Sequence, residues 1–121
     1  MKKINIIKSN RDFERIINNQ KPYIYKDFIV YVERTTENIY RFGISIGKKV
    51  GKAVVRNRLK RQLKNIIDKK IYQKGFNCII MIKKDILNKN FHEMEKDLNH
   101  IFEKIGIIEG ENKWKRKHQK F

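Results

Sequence analysis

Residues 39–68 read IYRFGISIGKKVGKAVVRNRLKRQLKNIID, and three local patterns follow one another within them. The first eight residues (39–46) are β-branched and aromatic and predict a strand. Glycines at 47 and 51 then bracket KKV. From about Ala53 onward, Val55, Leu59, Leu63 and Ile66 step by four, four and three, the spacing of one helical stripe, which predicts a helix over 53–68. At ~100° per residue, Asn57, Lys60, Arg61 and Lys64 fall opposite that stripe, while Arg56 and Arg58, about 200° apart, flank the polar face from its two sides. The helix is therefore amphipathic, with a densely basic outer face. A loop ending at Gly75 leads to FNCIIMI (76–82), a nearly continuous apolar run of the kind that makes a strand buried on both faces. Strand, helix and strand form a β-α-β unit around which the rest of the chain must be arranged.

Upstream, Ser9 is placed to cap a helix and Asp12 completes an S-x-x-D variant of the capping box. Phe13, Ile16 and Ile17 follow at helical spacing and Pro22 closes the segment, so a helix is expected over about 10–19. Residues 24–34 (IYKDFIVYVER) predict a strand with Phe28, Val30 and Val32 on one face and Ile29 and Tyr31 on the other. Thr35 to Asn38 are turn-rich, and the strands 24–34 and 39–46 are expected to pair as an antiparallel hairpin. Downstream, Phe91, Met94, Leu98, Ile101 and Ile105 mark a further amphipathic helix. The tail KWKRKHQKF has no apolar period, and mobility is expected over about 110–121. The order helix, hairpin, helix, strand, helix makes the class α+β: a single domain over 1–121, with a mostly antiparallel central sheet packed by helices. There are no internal repeats and no domain boundary.

The 121 residues carry a formal net charge of +17, and 36% of them are charged against roughly 25% in an average globular chain. Such an excess of one sign repels itself unless a polyanion compensates it: nucleic acid, an anionic membrane or an acidic protein. No stretch approaches the ~18 apolar residues of a membrane span, and the basic N-terminus MKKINIIKSNRDF lacks the apolar run of a signal peptide. With one cysteine, Cys78, no internal disulfide can form, and the residue reads as a small buried hydrophobe. A cytoplasmic protein bound to nucleic acid is expected.

Between Asn38 and Ile67 there is no acidic residue, although Arg41, Lys48, Lys49, Lys52, Arg56, Arg58, Lys60, Arg61 and Lys64 all lie in that window. A solvated helix normally mixes both signs along its exposed face, so the run points to phosphates, without fixing which polyanion carries them. Gly47, Gly51 and Lys52 do not make a nucleotide-hydrolysing loop, because the glycine spacing is one residue short and Ala53 replaces the required hydroxyl. His92, His100 and His118 are scattered over the last helix and tail. Glu93, Glu95, Asp97 and Glu103 alternate with Lys96 and Lys104 as ordinary ion-pair decoration. No Cys/His spacing fits a zinc site, and no protein-based catalytic centre is visible. Phe13 and Tyr31 could be core residues or a stacking surface for unpaired bases, worth ~1–3 kcal/mol per base.

The stretch Arg41–Arg61 closely resembles the signature of the bacterial ribonuclease P protein family, in which a hydrophobic strand runs into K-K-x-G-x-A-V-x-R-N-R-[IL]-K-R. Lys48, Lys49, Gly51, Ala53, Val54, Arg56, Asn57, Arg58, Leu59, Lys60 and Arg61 match it. The D-F pair of the first helix, the F-I-V-Y and GISI strands, the apolar strand around Cys78 and a last amphipathic helix arrive in the family's order. The resemblance implies an αβββαβα-like sandwich with a left-handed β-α-β crossover, against the usual hand. It also implies a non-catalytic subunit of a ribonucleoprotein endoribonuclease. Its partners would be a large catalytic RNA and precursor tRNA, with no membrane and no obligate protein partner. The holoenzyme would remove the 5′ leader with Mg²⁺ held chiefly by the RNA; no metal is assigned to the protein itself. By carry-over, Lys48, Lys49, Lys52, Arg56, Asn57, Arg58, Lys60, Arg61 and Lys64 would contact the catalytic RNA. Phe13, Ile17, Ile29, Tyr31 and Ser45 would line a cleft for the single-stranded leader. Two positions depart from the pattern: Ile17 stands where relatives can carry a second phenylalanine, and Gly47 where they often carry serine.

Two other classes fit less well. A structural protein of the ribosome would share the size and charge. A sequence-specific DNA-binding regulator would need side chains that read base edges, whereas the polar face of helix 53–68 is nearly all Lys and Arg, which suits phosphates.

Overall fold

The computed structural model describes residues 1–109; the expected mobility of 110–121 lies outside them. The elements are α1 (Asn10–Asn19), β1 (Tyr23–Tyr25), β2 (Phe28–Arg34), β3 (Tyr40–Ser45), α2 (Ala53–Asp68), β4 (Phe76–Ile82) and α3 (Phe91–Ile105), with short 3-10 turns at Lys3–Asn5, Lys48–Val50 and Lys84–Asn88. The class is α+β, as expected, in the order αβββαβα. Ser9 caps α1 by accepting from the backbone N–H groups of Arg11 and Asp12, while the Asp12 carboxylate turns to Arg15 rather than back to the cap. Asn90 and Glu93 form a reciprocal capping box on α3, and Gly106, in the left-handed region at φ 71°, ends it.

Two expectations about the strands fail. The segment 24–34 is not one strand: Lys26 takes φ 51°, and a turn at Lys26–Asp27 folds β1 back on β2, with Tyr25 opposite Phe28. Nor do the segments 24–34 and 39–46 pair as a hairpin. The sheet order is β1-β2-β4-β3, with β4 antiparallel to β2 and parallel to β3. The reason lies in β4. Phe76 to Ile80 are all buried and Met81 is partly so, so this run needs neighbours on both edges and cover on both faces. Gly75 admits it between the ends of the other two strands. Its N–H donates to Ile39 O and its carbonyl accepts from Thr35 N–H, each at 2.9 Å. At φ 89°, with a would-be Cβ 2.9 Å from Thr35 O, only glycine suits that position.

One sheet face carries Phe28, Val30, Phe42, Phe76, Cys78, Ile80 and Ile82 into the main core against Leu59, Leu63, Ile66 and Ile67 of α2 and Met94, Leu98, Ile101 and Phe102 of α3. Burial raises the Cys78 thiol well above its usual range. On the other face α1 lays Ile16 against Ile79 and is tied to β2 by Arg15, whose guanidinium makes two hydrogen bonds to Glu33. Those hydrogen bonds hold the Glu33 carboxyl below its ordinary range. Asp97 is no surface decoration: it is buried and paired with Lys89 and Lys26. Lys89 also meets Asp27, so the β1–β2 turn is anchored to α3. Burial would raise the Asp97 carboxyl, but the two lysines outweigh it and hold it below the ordinary range.

Candidate nucleic-acid interface

The cations of α2 sort by where the core stripe leaves them. The stripe buries Leu59, Leu63, Ile66 and Ile67, so every other direction around the axis faces solvent or a groove. Lys60 and Lys64 fall on the flank toward α1 and β3, Arg58 and Arg61 on the flank toward α3, and Asn57 is exposed between them. Arg56 is half-buried and donates from Nη1 to the Gly51 carbonyl at 2.7 Å, so it braces the loop that carries Lys48, Lys49 and Lys52. That loop enters α2 with no side-chain cap and no acid in the first turn, leaving the helix's free N–H groups and partial positive charge open to an anion. Gly47 has nothing within 4 Å of a would-be Cβ, so the protein itself does not demand glycine there. Among the described residues, Lys48, Lys49, Lys52, Arg58, Lys60, Arg61 and Lys64 form no ion pair.

A groove of about 460 Å³ runs between α1, the end of β3 and α2, lined by Asn10, Phe13, Glu14, Ile17, Ile44, Ser45, Ile46 and Lys60. A smaller hollow of about 230 Å³ continues it past Phe13, Ile44 and Lys60 to Lys64 and the N-terminal segment. The N-terminal segment is held to β3 by Ile7 N–H donating to Phe42 O at 2.9 Å. Phe13 is fixed by both neighbours. It packs with Ile7, Ile16 and Ile79, and its ring lies on Gly43, where a Cβ would sit 2.5 Å from Phe13 Cζ. The ring is thus partly core and partly groove wall. Of the five leader-cleft residues expected from the sequence, the groove brings together Phe13, Ile17 and Ser45. Ile29 and Tyr31 lie farther along the same sheet face: Ser45 is opposite Met81, Met81 opposite Ile29 and Ile29 opposite Ile24. That row crosses the sheet at ~5 Å per strand, and Tyr31 packs beside it in the cluster under α1. The sequence reading missed Asn10 and Glu14, although with Phe13 and Ile17 they occupy one helical face at i, i+4 and i+3, i+7. It also missed Ile44 and Ile46, which look like core strand residues until β3 is seen to lie at the sheet's edge.

The groove's lining carries one acid, Glu14, and one base, Lys60, and α2, which bears the RNR sequence, contributes one of its walls. A family model described as Ribonuclease P matches residues 1–106. The chain belongs to the ribonuclease P protein family. It is 37% identical over 106 residues to the ribonuclease P protein component of Mycoplasma mobile, covering 87% of this chain and 93% of that protein. It is also 37% identical over 107 residues to that of Dictyoglomus turgidum, covering 84% and 89%. Among solved structures, a Staphylococcus aureus RNase P protein mutant with defective mRNA degradation activity superimposes with a TM-score of 0.79 at 27% identity, covering 87% of this chain and 91% of that one. The RNase P protein of Thermotoga maritima gives 0.71 at 26% identity, covering 78% and 92%. Members of this family are protein components of a tRNA-processing endoribonuclease, and the fold described above is theirs. Among the described residues no helix is long and apolar enough to cross a membrane.

Proposed function

We propose that this chain binds the catalytic RNA of a ribonuclease P and the 5′ leader of precursor tRNA, and assists removal of the leader without supplying the chemistry. The observation that carries this reading is the pairing of unlike surfaces on one helix. Uncompensated cations stand on α2 and its entry loop, while Lys60 and Lys64 overhang a groove whose wall is the Phe13 ring. Phosphates suit the first surface. An unpaired strand, which offers both a charged backbone and bare bases, suits the second. Lys48, Lys49, Lys52, Asn57, Arg58 and Arg61 are the contacts proposed for the catalytic RNA, with Arg56 holding their loop in shape. Lys60 and Lys64, carried over as contacts to that RNA, stand where they can meet the leader as well.

In the groove, Phe13 would stack a leader base, Ile17 would pack against its neighbour and Ser45 would offer a hydroxyl, while Ile29 would meet the strand farther along the sheet face. Tyr31, held in the cluster beneath α1, would support that surface more than touch the strand. The row through Met81 to Ile24 would continue the floor across the sheet. Phosphate repulsion between the catalytic RNA and precursor tRNA would be screened by the cations between them, so less Mg²⁺ would be needed for cleavage. The Mg²⁺ of the holoenzyme is assigned to the RNA. Among the described residues no three His, Cys, Asp or Glu side chains cluster as a ligand set.

The test is the affinity ratio between leader-bearing and mature tRNA, measured with the protein bound to its catalytic RNA. Phe13→Ala is expected to lower that ratio about tenfold, the scale of one base stack. Equal losses for both tRNAs would remove the leader from this groove.

A further inference from the structure

Across α2 from the cleft lies a second groove, of about 400 Å³, formed by Arg58, Arg61, Gln62 and Asn65 of α2 with Phe91, the first residue of α3. Its volume falls within the roughly 300–1,000 Å³ of small-molecule sites. Its five side chains have complementary chemistry. Arg58 and Arg61 make no ion pair among the described residues, and the Gln62 and Asn65 amides make no hydrogen bond there, so each amide offers both donors and acceptor. Phe91 is half-buried, packed against the main core while also lining the groove. Lys69 Nζ lies over the Phe91 ring, 5.1 Å from its centre, a contact that a base stacked on that face would replace; it is already paired with Glu95 at 2.7 Å, so the free positive charge of the groove is that of the two arginines.

A nucleotide uses all of these groups at once. An aromatic ring stacks a base, amide side chains match the donor and acceptor edges of a base, and guanidinium forks match phosphate oxygens. A duplex would satisfy only the arginines, because its bases are already stacked and paired. On the helical wheel this flank lies roughly 140° around α2 from Lys60 and Lys64, so the strand in the cleft is not the one that reaches here. Resting on the function proposed above, we infer that the α2–α3 groove takes a single unpaired nucleotide of the catalytic RNA, stacked on Phe91 and held by Arg58, Arg61, Gln62 and Asn65. The protein would then grip its two RNAs on opposite flanks of one helix, and Phe91 would fix its register on the catalytic RNA.

Two measurements on the full chain test this. Phe91→Leu keeps an apolar side chain against the core but loses the ring, whereas Phe91→Tyr keeps both. With thermal unfolding as a check on the fold, Phe91→Leu should bind the catalytic RNA roughly tenfold more weakly, Phe91→Tyr should bind like the parent, and neither should alter the ratio between leader-bearing and mature tRNA. In the second, His92→Cys, exposed beside Phe91 and outside the groove's lining, is labelled with a benzophenone maleimide. The only other thiol, Cys78, is fully buried, so the label is selective. Irradiation of the assembled complex should give an adduct at an unpaired nucleotide of the catalytic RNA. Parental affinity in Phe91→Leu, or an adduct confined to stems, on the tRNA or absent while the protein is bound, would overturn the inference. Failure of the parent protein itself to bind the catalytic RNA would overturn the proposed function, and the inference with it.

Discussion

Gly43→Ala probes whether the groove depends on how closely Phe13 approaches the sheet. The added Cβ would sit 2.5 Å from Phe13 Cζ, roughly 1 Å short of the 3.4–4 Å of ordinary van der Waals separation. The backbone of β3 cannot retreat, because β4 pairs along one edge and Ile7 is bonded to the other, so the ring must move. Overpacking of this kind costs ~1–3 kcal/mol. Phe13 is only half-buried and can swing toward the groove, which puts the expected cost in the lower part of that range, ~1–2 kcal/mol, or a fall in Tm of roughly 4–10 °C. The displaced ring would then occupy space proposed for the leader, so discrimination between leader-bearing and mature tRNA should fall with it. The assay is a double-mutant cycle with Phe13→Leu, read by denaturant unfolding and by the tRNA affinity ratio. Removing the ring removes the clash, so the double variant should be more stable than the sum of the single losses predicts, by ~1 kcal/mol. Strictly additive losses, or a Gly43→Ala protein with parental stability, would refute the claim that the ring is what requires glycine there.

Two further outcomes are expected. Arg61→Ala should weaken binding of the catalytic RNA and flatten its logarithmic salt dependence by ~0.7–0.9 for each phosphate no longer neutralised, about threefold in affinity across a fourfold salt range; an unchanged slope would take Arg61 off the backbone. Acid should loosen the protein, because Glu33 and Asp97 are held below the ordinary carboxylate range when folded. Their contribution is complete above ~4, the unfolded value, and is lost as the pH falls from there through the lower folded values. Thermal midpoints measured from pH 7 to pH 3 should therefore fall, and fall less steeply in Glu33→Gln. Equal slopes would remove the Arg15–Glu33 tie from the stability of α1.

What could be read from the sequence follows from how local its causes are. The bounds of α2 and β4 came straight from the local pattern, because Leu59, Leu63 and Ile66 must share one face and a run of seven residues broken only by Asn77 suits a strand buried on both faces. The pairing of β3 was not legible, since its partner is chosen by what β4 needs on its far edge, an arrangement settled only when the whole sheet assembles. The turn at Lys26 and Asp27 was hidden because it uses neither glycine nor asparagine, and its anchor is the distant pair Lys89 and Asp97. In the candidate site, Phe13 and Ile17 stood out as helix-spaced apolar residues beside a cap, whereas Ser45 was suggested only by the resemblance. Phe91 gave no signal beyond its place at the start of an apolar stripe; what marks it is the arginine-lined groove that α2 builds beside it.

The central claim is that this chain supplies RNA contacts while its RNA partner supplies the chemistry. It is tested most directly by mixing the protein with the matching catalytic RNA and precursor tRNA at low Mg²⁺ and scoring release of the 5′ leader. The account predicts efficient cleavage only when protein and catalytic RNA are both present, with none from the protein alone. Cleavage by the RNA that is unchanged by the protein, together with binding no tighter than to a size-matched control RNA, would contradict it.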